Sequence, residues 1–223
     1  KKPKKQPPSA LDEQQLTALL AAAYLDYRRA QQAASRRGIP RWLAARDWAI
    51  VSLLVTSGLR TKEITSLHTD DLDLHSRLIR ISGKGDRAHT IRQRIIPLSE
   101  PFTLGALESY LRVRPRCLYP HLFLAATLQP LGHTGFTNVL QTVAAEAGLS
   151  SGLTISEIRR SFISLCAHKG IDPLLLRQLM GHSSLITTMK YYLSIQQQHL
   201  KELWENNNPL RYFSPRECET WIL

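Results

Sequence analysis

Acidic residues are scarce in this sequence, and long apolar runs are missing from it. Lys and Arg together number 29 against 18 Asp and Glu, a net charge of +11 over 223 residues. No stretch approaches the roughly 18 apolar residues that span a bilayer, and no secretory apolar segment opens the chain. A membrane-spanning or exported protein is therefore not expected. Cysteine is sparse: Cys117, Cys166 and Cys218 are odd in number and lack metal-ligand spacing. Free thiols in a reducing cytosol are expected, in place of a disulfide framework or a zinc site. No internal repeat recurs. What remains is a chain long enough to bury a full core, and basic enough to favour a polyanionic partner, nucleic acid ahead of anionic membrane. A cytoplasmic, nucleoid-associated protein without a membrane partner fits that balance. The first residue is Lys1 rather than Met, as in a piece of a longer protein.

The pattern along the chain is mostly helical. Residues 1–10 begin as KKPKKQPPS, a basic, proline-rich arm or interdomain linker that can bury nothing. Leu11, Leu16, Leu19, Leu20 and Ala23 recur at helical spacing, and Tyr27 to Pro40 is polar and basic. Trp42 to Ser57 is a second, strongly apolar helix stopped by Gly58, and Thr61 to Leu67 restarts a short one. Leu78 to Ser82 and Thr90 to Leu98 read as two strands around a Gly83-Lys84-Gly85-Asp86 turn. Helices are expected over Glu100 to Arg112 and Thr134 to Ala147. Thr154-Ile155-Ser156-Glu157 is a capping box opening another helix. Asp172-Pro173 opens the next as cap and first-turn proline, and Ser183 or Ser184 caps a last one that carries Tyr191 and Tyr192. The expected fold class is mainly α with a small antiparallel β-sheet (α+β).

Several polar residues in this pattern suit work on a phosphodiester. Exchange at phosphorus builds negative charge on the non-bridging oxygens, and fixed cationic donors stabilise it. Arg60 follows Gly58, where a helix ends, and Arg159 lies off the apolar stripe of the capped helix. Each guanidinium offers two parallel hydrogen bonds to phosphate and stays charged. Lys84 sits at a hairpin tip, from which it can protonate a leaving oxygen. His182 follows Gly181 at a helix junction, and a tyrosine just downstream can attack phosphorus to form a covalent phosphotyrosine. That chemistry breaks and rejoins DNA without metal or ATP. Taken singly, every one of these side chains has an ordinary explanation. Arg60 could pair with Glu63, Lys84 could be a solvated turn, Arg159 and Arg160 the wet face of a helix, and Tyr191 and Tyr192 packing residues.

The joint order and spacing are less ordinary. TSGLRTKEITSL, ISGKGDR, ISEIRRSF and LMGHSSLITTMKYY resemble the motifs of the tyrosine recombinases, the phage-integrase-like family, from about Leu11 to Tyr192. The resemblance implies the tyrosine recombinase catalytic-domain fold over 11–193. It implies a site-specific recombinase that cleaves and rejoins strands through a 3′-phosphotyrosyl intermediate, for integration, excision or resolution of a mobile element or replicon. Arg60 matches the first arginine, Glu63 its acidic companion, Lys84 the hairpin lysine, Arg159 the second arginine and His182 the histidine of the GH motif. The family's tyrosine falls nine positions after that histidine, at Tyr191. Tyr192 lies about 100° further around the helix, so only one of the two can face a common phosphate. Arg87, Arg92, Arg94, Arg160 and Lys190 are expected to track the DNA backbone. No metal or other cofactor is implied, and the implied partners are double-stranded DNA and copies of the same chain, as a tetramer on two DNA sites.

The sequence departs from the family pattern at two positions. Ser156 stands where the pattern has a histidine, and Arg160 follows the second arginine where a histidine is commoner. Serine donates a hydrogen bond but is no acid–base group near neutral pH. A catalytically impaired DNA-binding relative and a type IB topoisomerase-like enzyme therefore stand as alternatives. Residues 194–223 are long for the family, and the segment carries Tyr212, Phe213, Trp221, Ile222 and Leu223. It is expected either to pack on its own domain or to dock on a neighbouring protomer.

Overall fold

The structure, a computed structural model, describes residues 10–32, 40–83, 92–150, 152–193, 201–202 and 204–206. Arm residues 1–9, the hairpin tip with Lys84 and Arg87, and the apolar residues of the tail from 207 onward lie outside that set, as does the side chain of Arg92.

The chain folds as expected into helices with, among the described residues, one small antiparallel sheet. Helix α1 (Glu13–Gln31) starts in a capping box, with the Asp12 carboxylate accepting from Gln15 N at 2.8 Å and Gln15 Oε1 accepting from Asp12 N at 3.0 Å. It runs a full two turns beyond Ala23, the last apolar residue of its stripe. Tyr24 and Tyr27 explain the extension: their rings lie 5.1 and 4.6 Å from that of Trp48, so a polar-looking stretch still buries aromatic surface. Helix α2 (Arg41–Ser57) is buried on nearly every side, with Ala49, Ile50, Val51, Leu53 and Leu54 all at 0–1% exposure. A helix apolar all round belongs at the centre of a core, and α1, α4, α5 and α6 pack around this one.

The short helix α3 (Thr61–Thr65) follows, and then the sheet, whose order is β1 (Leu72–Asp73), β2 (Leu78–Gly83), β3 (Arg92–Pro97). Strand β1 was not foreseen, because two residues are too few to show alternation. Ile79 pairs with Ile96, and Ile81 pairs with Arg94. Directly opposed residues share a face, and Ile79, Ile81 and Ile96 are buried. Arg94 therefore projects inward with them, while Ile95 is 55% exposed on the outer face.

Helices α4 (Pro101–Val113) and α5 (His133–Glu146) complete the main core. Helix α6 (Ile155–His168) opens with the capping box read from the sequence: Thr154 Oγ1 accepts from Glu157 N at 3.2 Å, and Thr154 N donates to Glu157 Oε2 at 2.8 Å. Asp172 caps α7 (Pro173–Met180) by accepting from Leu174 N and Leu175 N, both at 2.9 Å. Ser184 caps α8 (Leu185–Tyr192). These last helices share a separate small core of Ile163, Leu176 and Met180, against which Phe162, Cys166, Leu179, Tyr191 and Tyr192 pack. Helices α2 and α7 end in left-handed glycines, Gly58 at φ +57° and Gly181 at φ +61°. The carbonyls of both accept from arginines, Gly58 O from Arg159 and Gly181 O from Arg60.

Candidate active site

A cleft of about 370 Å³ lies between the start of α3 and the start of α6, lined by Arg60, Lys62, Ser156 and Arg159 among others. Arg60 and Arg159, separated by almost half the chain, thus reach one space. Each is held from behind by main-chain oxygens. Arg159 donates to Gly58 O at 2.6 Å and to Met180 O at 2.7 Å, and Arg60 Nη2 donates to Gly181 O at 2.8 Å. A third guanidinium, that of Arg94, donates from Nε to Leu179 O at 2.7 Å. Three successive carbonyls at the end of α7 are therefore each taken by a different arginine. Those oxygens have no partner within the helix, and the end of a helix dipole favours cations.

One carboxylate serves this group. Glu63 Oε1 accepts from Arg60 Nη1 at 2.9 Å and from Arg94 Nη1 at 2.7 Å. Glu63 Oε2 accepts from Arg60 N and Arg94 Nη2, both at 2.8 Å. Burial pushes the Glu63 carboxyl up, but the Arg94 fork, the Arg60 N–H and both positive charges outweigh it and hold the pKa at about 2. The same group affects the bases around it. Arg159 is pushed down to about 10, by burial first and then by Arg60, against the opposing pull of Glu63 and Tyr191. It still carries its charge at neutral pH. Three guanidiniums against one carboxylate leave a positive surplus on the cleft, the electrostatic condition for an anion site.

His182 borders this surplus. Burial first, then Arg159, Arg60 and Arg94, depress its pKa to about 4, so the ring is neutral at physiological pH. Its Nδ1 is 2.8 Å from Oγ1 of the fully buried Thr188, which leaves Nε2 as the remaining polar position of the ring. Arg177 fixes the turn, donating to the carbonyls of His182 and Ser183, each at 3.2 Å. The two tyrosines of α8 diverge. Tyr191 is near enough to Arg159 to act on its charge. Tyr192 donates its hydroxyl to the carbonyl of Ile171, and its pKa is raised by burial, Cys166 and Asp172.

Residues 10–199 match the phage integrase family. This chain belongs to that family. Tyrosine recombinase XerD of Listeria monocytogenes serotype 4b is 34% identical over 173 residues, covering 75% of this chain and 56% of that protein. The chain thus spans little more than half the length of such relatives. Among solved structures, that of XerA recombinase superposes with a TM-score of 0.71 at 26% identity, over 92% of this chain and 66% of that one. XerH site-specific recombinase bound to palindromic difH substrate, in a post-cleavage complex, gives a TM-score of 0.70 at 22% identity, over 90% of this chain and 53% of that one.

The structure brings together Arg60, Glu63, Ser156, Arg159, His182 and Tyr191 of the residues the integrase motifs single out. Lys84 and Arg87 lie outside the described residues. Lys190 is exposed on α8, and Arg160 turns toward Glu157, with Nη2 3.8 Å from Oε1. Arg94 differs from expectation. It does not point toward solvent with a DNA backbone to follow, but is 13% exposed and turned inward against Glu63. The strand register is the reason, since Arg94 shares the parity of Ile96 and the face of Ile81. The sequence does not decide that parity, because Ile95 and Ile96 are adjacent and either could face the core. Arg177 was missed as well, because nothing in a helix interior marks a side chain that returns to carbonyls beyond the helix end. Cys117 and Cys166 are free thiols, and burial pushes Cys166 up to about 11. Among the described residues, no group of three or more His, Cys, Asp or Glu side chains could hold a metal ion, and no helix is long and apolar enough to cross a membrane.

Proposed function

We propose that this chain carries the catalytic centre of a site-specific DNA recombinase. Arg60 and Arg159 clamp the non-bridging oxygens of one scissile phosphate, and His182 and the Ser156 hydroxyl add hydrogen bonds. The Tyr191 hydroxyl gives its proton to solvent as its oxygen attacks phosphorus. The bond from phosphorus to the 5′ oxygen breaks as the bond to the tyrosine forms, leaving a 3′-phosphotyrosyl link, and Lys84 delivers a proton to the departing 5′ oxygen. Reversal with a 5′ hydroxyl from a second duplex rejoins the strands. In this reading the catalytic unit is 11–193, the partner is double-stranded DNA, and four copies act on two sites. The outcome is integration, excision or resolution of a mobile element or replicon.

The observation that carries this reading is the convergence of Arg60 and Arg159 on one cleft, with Tyr191 on a helix packed against α6, which carries Arg159. The 34% identity to a tyrosine recombinase, XerD of Listeria monocytogenes, favours the same chemistry. A pool of nicked duplexes carrying varied inverted repeats tests it. A nick beside the scissile bond lets the short cleaved strand diffuse away, so the covalent complex accumulates and survives a denaturing gel. An adduct is expected from this chain. Sequence-selective binding with no adduct on any duplex would instead identify a non-catalytic DNA-binding relative.

A further inference from the structure

The structure assigns a positioning role to Arg94: it ties the β2–β3 hairpin to the phosphate clamp by filling half of the hydrogen-bonding capacity of Glu63, and so keeps Arg60 free to act on the anion. This assignment rests on the reading of Arg60 as a phosphate ligand. An ionised carboxylate has about four acceptor positions. On Glu63 all four are occupied, two by Arg94 and two by Arg60. The Arg94 fork is bidentate, at 2.7 and 2.8 Å, the arrangement that fixes geometry most strongly. Its Nε takes Leu179 O, next to the Met180 and Gly181 carbonyls that hold Arg159 and Arg60.

Two consequences follow for Arg60. The first is orientation. With Arg94 in place, Glu63 takes one Nη of Arg60 and Gly181 O takes the other, so the guanidinium plane is defined at both ends. The second is charge. Without Arg94, Glu63 would be paired with Arg60 alone, and the surplus of guanidiniums over carboxylate around the cleft would fall from two charges to one. Space is tight around this arrangement: a Cβ built on Gly181 would stand 3.1 Å from Arg94 Nη1 and 3.4 Å from Arg60 Nη1. The Arg94 side chain is 13% exposed, and its Nε and both Nη atoms are already engaged by Leu179 O and Glu63, so its part is to position the clamp and not to touch phosphate or nucleophile.

The experiment compares Arg94→Gln, Arg94→Lys and the double variant Glu63→Gln/Arg94→Gln with the parent chain and with Glu63→Gln. Single-turnover cleavage of the nicked duplex at saturating DNA is expected to fall about 100-fold in Arg94→Gln, the scale of a small misplacement in a site. Arg94→Lys, which keeps charge but loses the fork, should recover part of it. Adding Arg94→Gln to Glu63→Gln should cost little more, since the two act as one unit. The salt slope of DNA affinity should not move, because it counts the residues that contact phosphate directly. A slope reduced by about one would mark Arg94 as a direct phosphate contact and overturn the assignment, as would fully additive effects in the double variant. Sulfate reads the same claim without cleavage. Added sulfate should raise the unfolding midpoint of the parent chain more than that of Arg94→Gln, with Arg94→Lys between them, and equal rises would overturn the assignment. A parent chain that shows this sulfate pattern yet forms no adduct would overturn the strand-exchange reading and leave the role of Arg94 standing.

Discussion

His182 and Glu63 give the site a defined response to acid. Both have folded pKa values depressed below the usual ones, about 4 against 6.5 for His182 and about 2 against 4.5 for Glu63. As pH falls below 6.5 the unfolded chain binds a proton at His182 that the folded chain does not, so stability declines down to about pH 4. Glu63 adds stability that is full above 4.5 and is lost as pH falls toward 2. Urea unfolding between pH 8 and 3 should show the first decline, and His182→Gln should flatten it; an unchanged slope would contradict the assigned environment. Sulfate at the cleft should raise the His182 pKa, because it offsets the arginines that depress it. The motif residues among these were legible from sequence, because the family spacing marks Arg60, Glu63, Arg159, His182 and Tyr191 directly. Arg94 was not. Its partner is on another element, and only the strand register, which needs the paired strand, turns it inward.

The element ends are as important to the site as the side chains. Gly58 ends α2 in the left-handed region, its carbonyl receives Arg159, and a Cβ there would stand 2.7 Å from Cδ1 of Phe162. Gly58→Ala is expected to cost roughly 1–2 kcal/mol from backbone conformation alone, and more from displacement of Phe162. Chemical denaturation measures this, and a neutral substitution would mean that the α2–α6 contact is looser than described. The capping boxes of Asp12 and Thr154, the Asp172 cap and the two glycine stops set the helix boundaries by local chemistry, and Thr154, Asp172 and Gly58 were all read correctly. The far half of α1 carries no helical apolar signal in the sequence, because its burial depends on the rings of Trp48 and Phe102, which no local pattern reveals. Strand β1 was missed because it is defined only by its pairing with β2.

At the scale of the whole molecule, the net charge of +11 and the cationic cleft point to one class of partner. Binding to duplex DNA should weaken linearly in log affinity against log salt, and neutralising six to ten phosphates would lose about 10³- to 10⁵-fold between 50 and 200 mM. Fluorescence anisotropy at several salt concentrations measures the slope; a flat dependence would point to a partner other than a polyanion. The fold separates a large core around α2 from the small core against which Tyr191 packs, while Leu59 and Ile158, the chain neighbours of Arg60 and Arg159, belong to the large one. The central claim is that Tyr191 becomes covalently bound to DNA. It is tested most directly by trapping the complex on a nicked duplex, digesting it and locating the nucleotide-bearing peptide by mass spectrometry. The expected result is an adduct on Tyr191, lost in Tyr191→Phe while DNA binding persists, and retained in Tyr192→Phe. An adduct on Tyr192, or one that survives Tyr191→Phe, would contradict it.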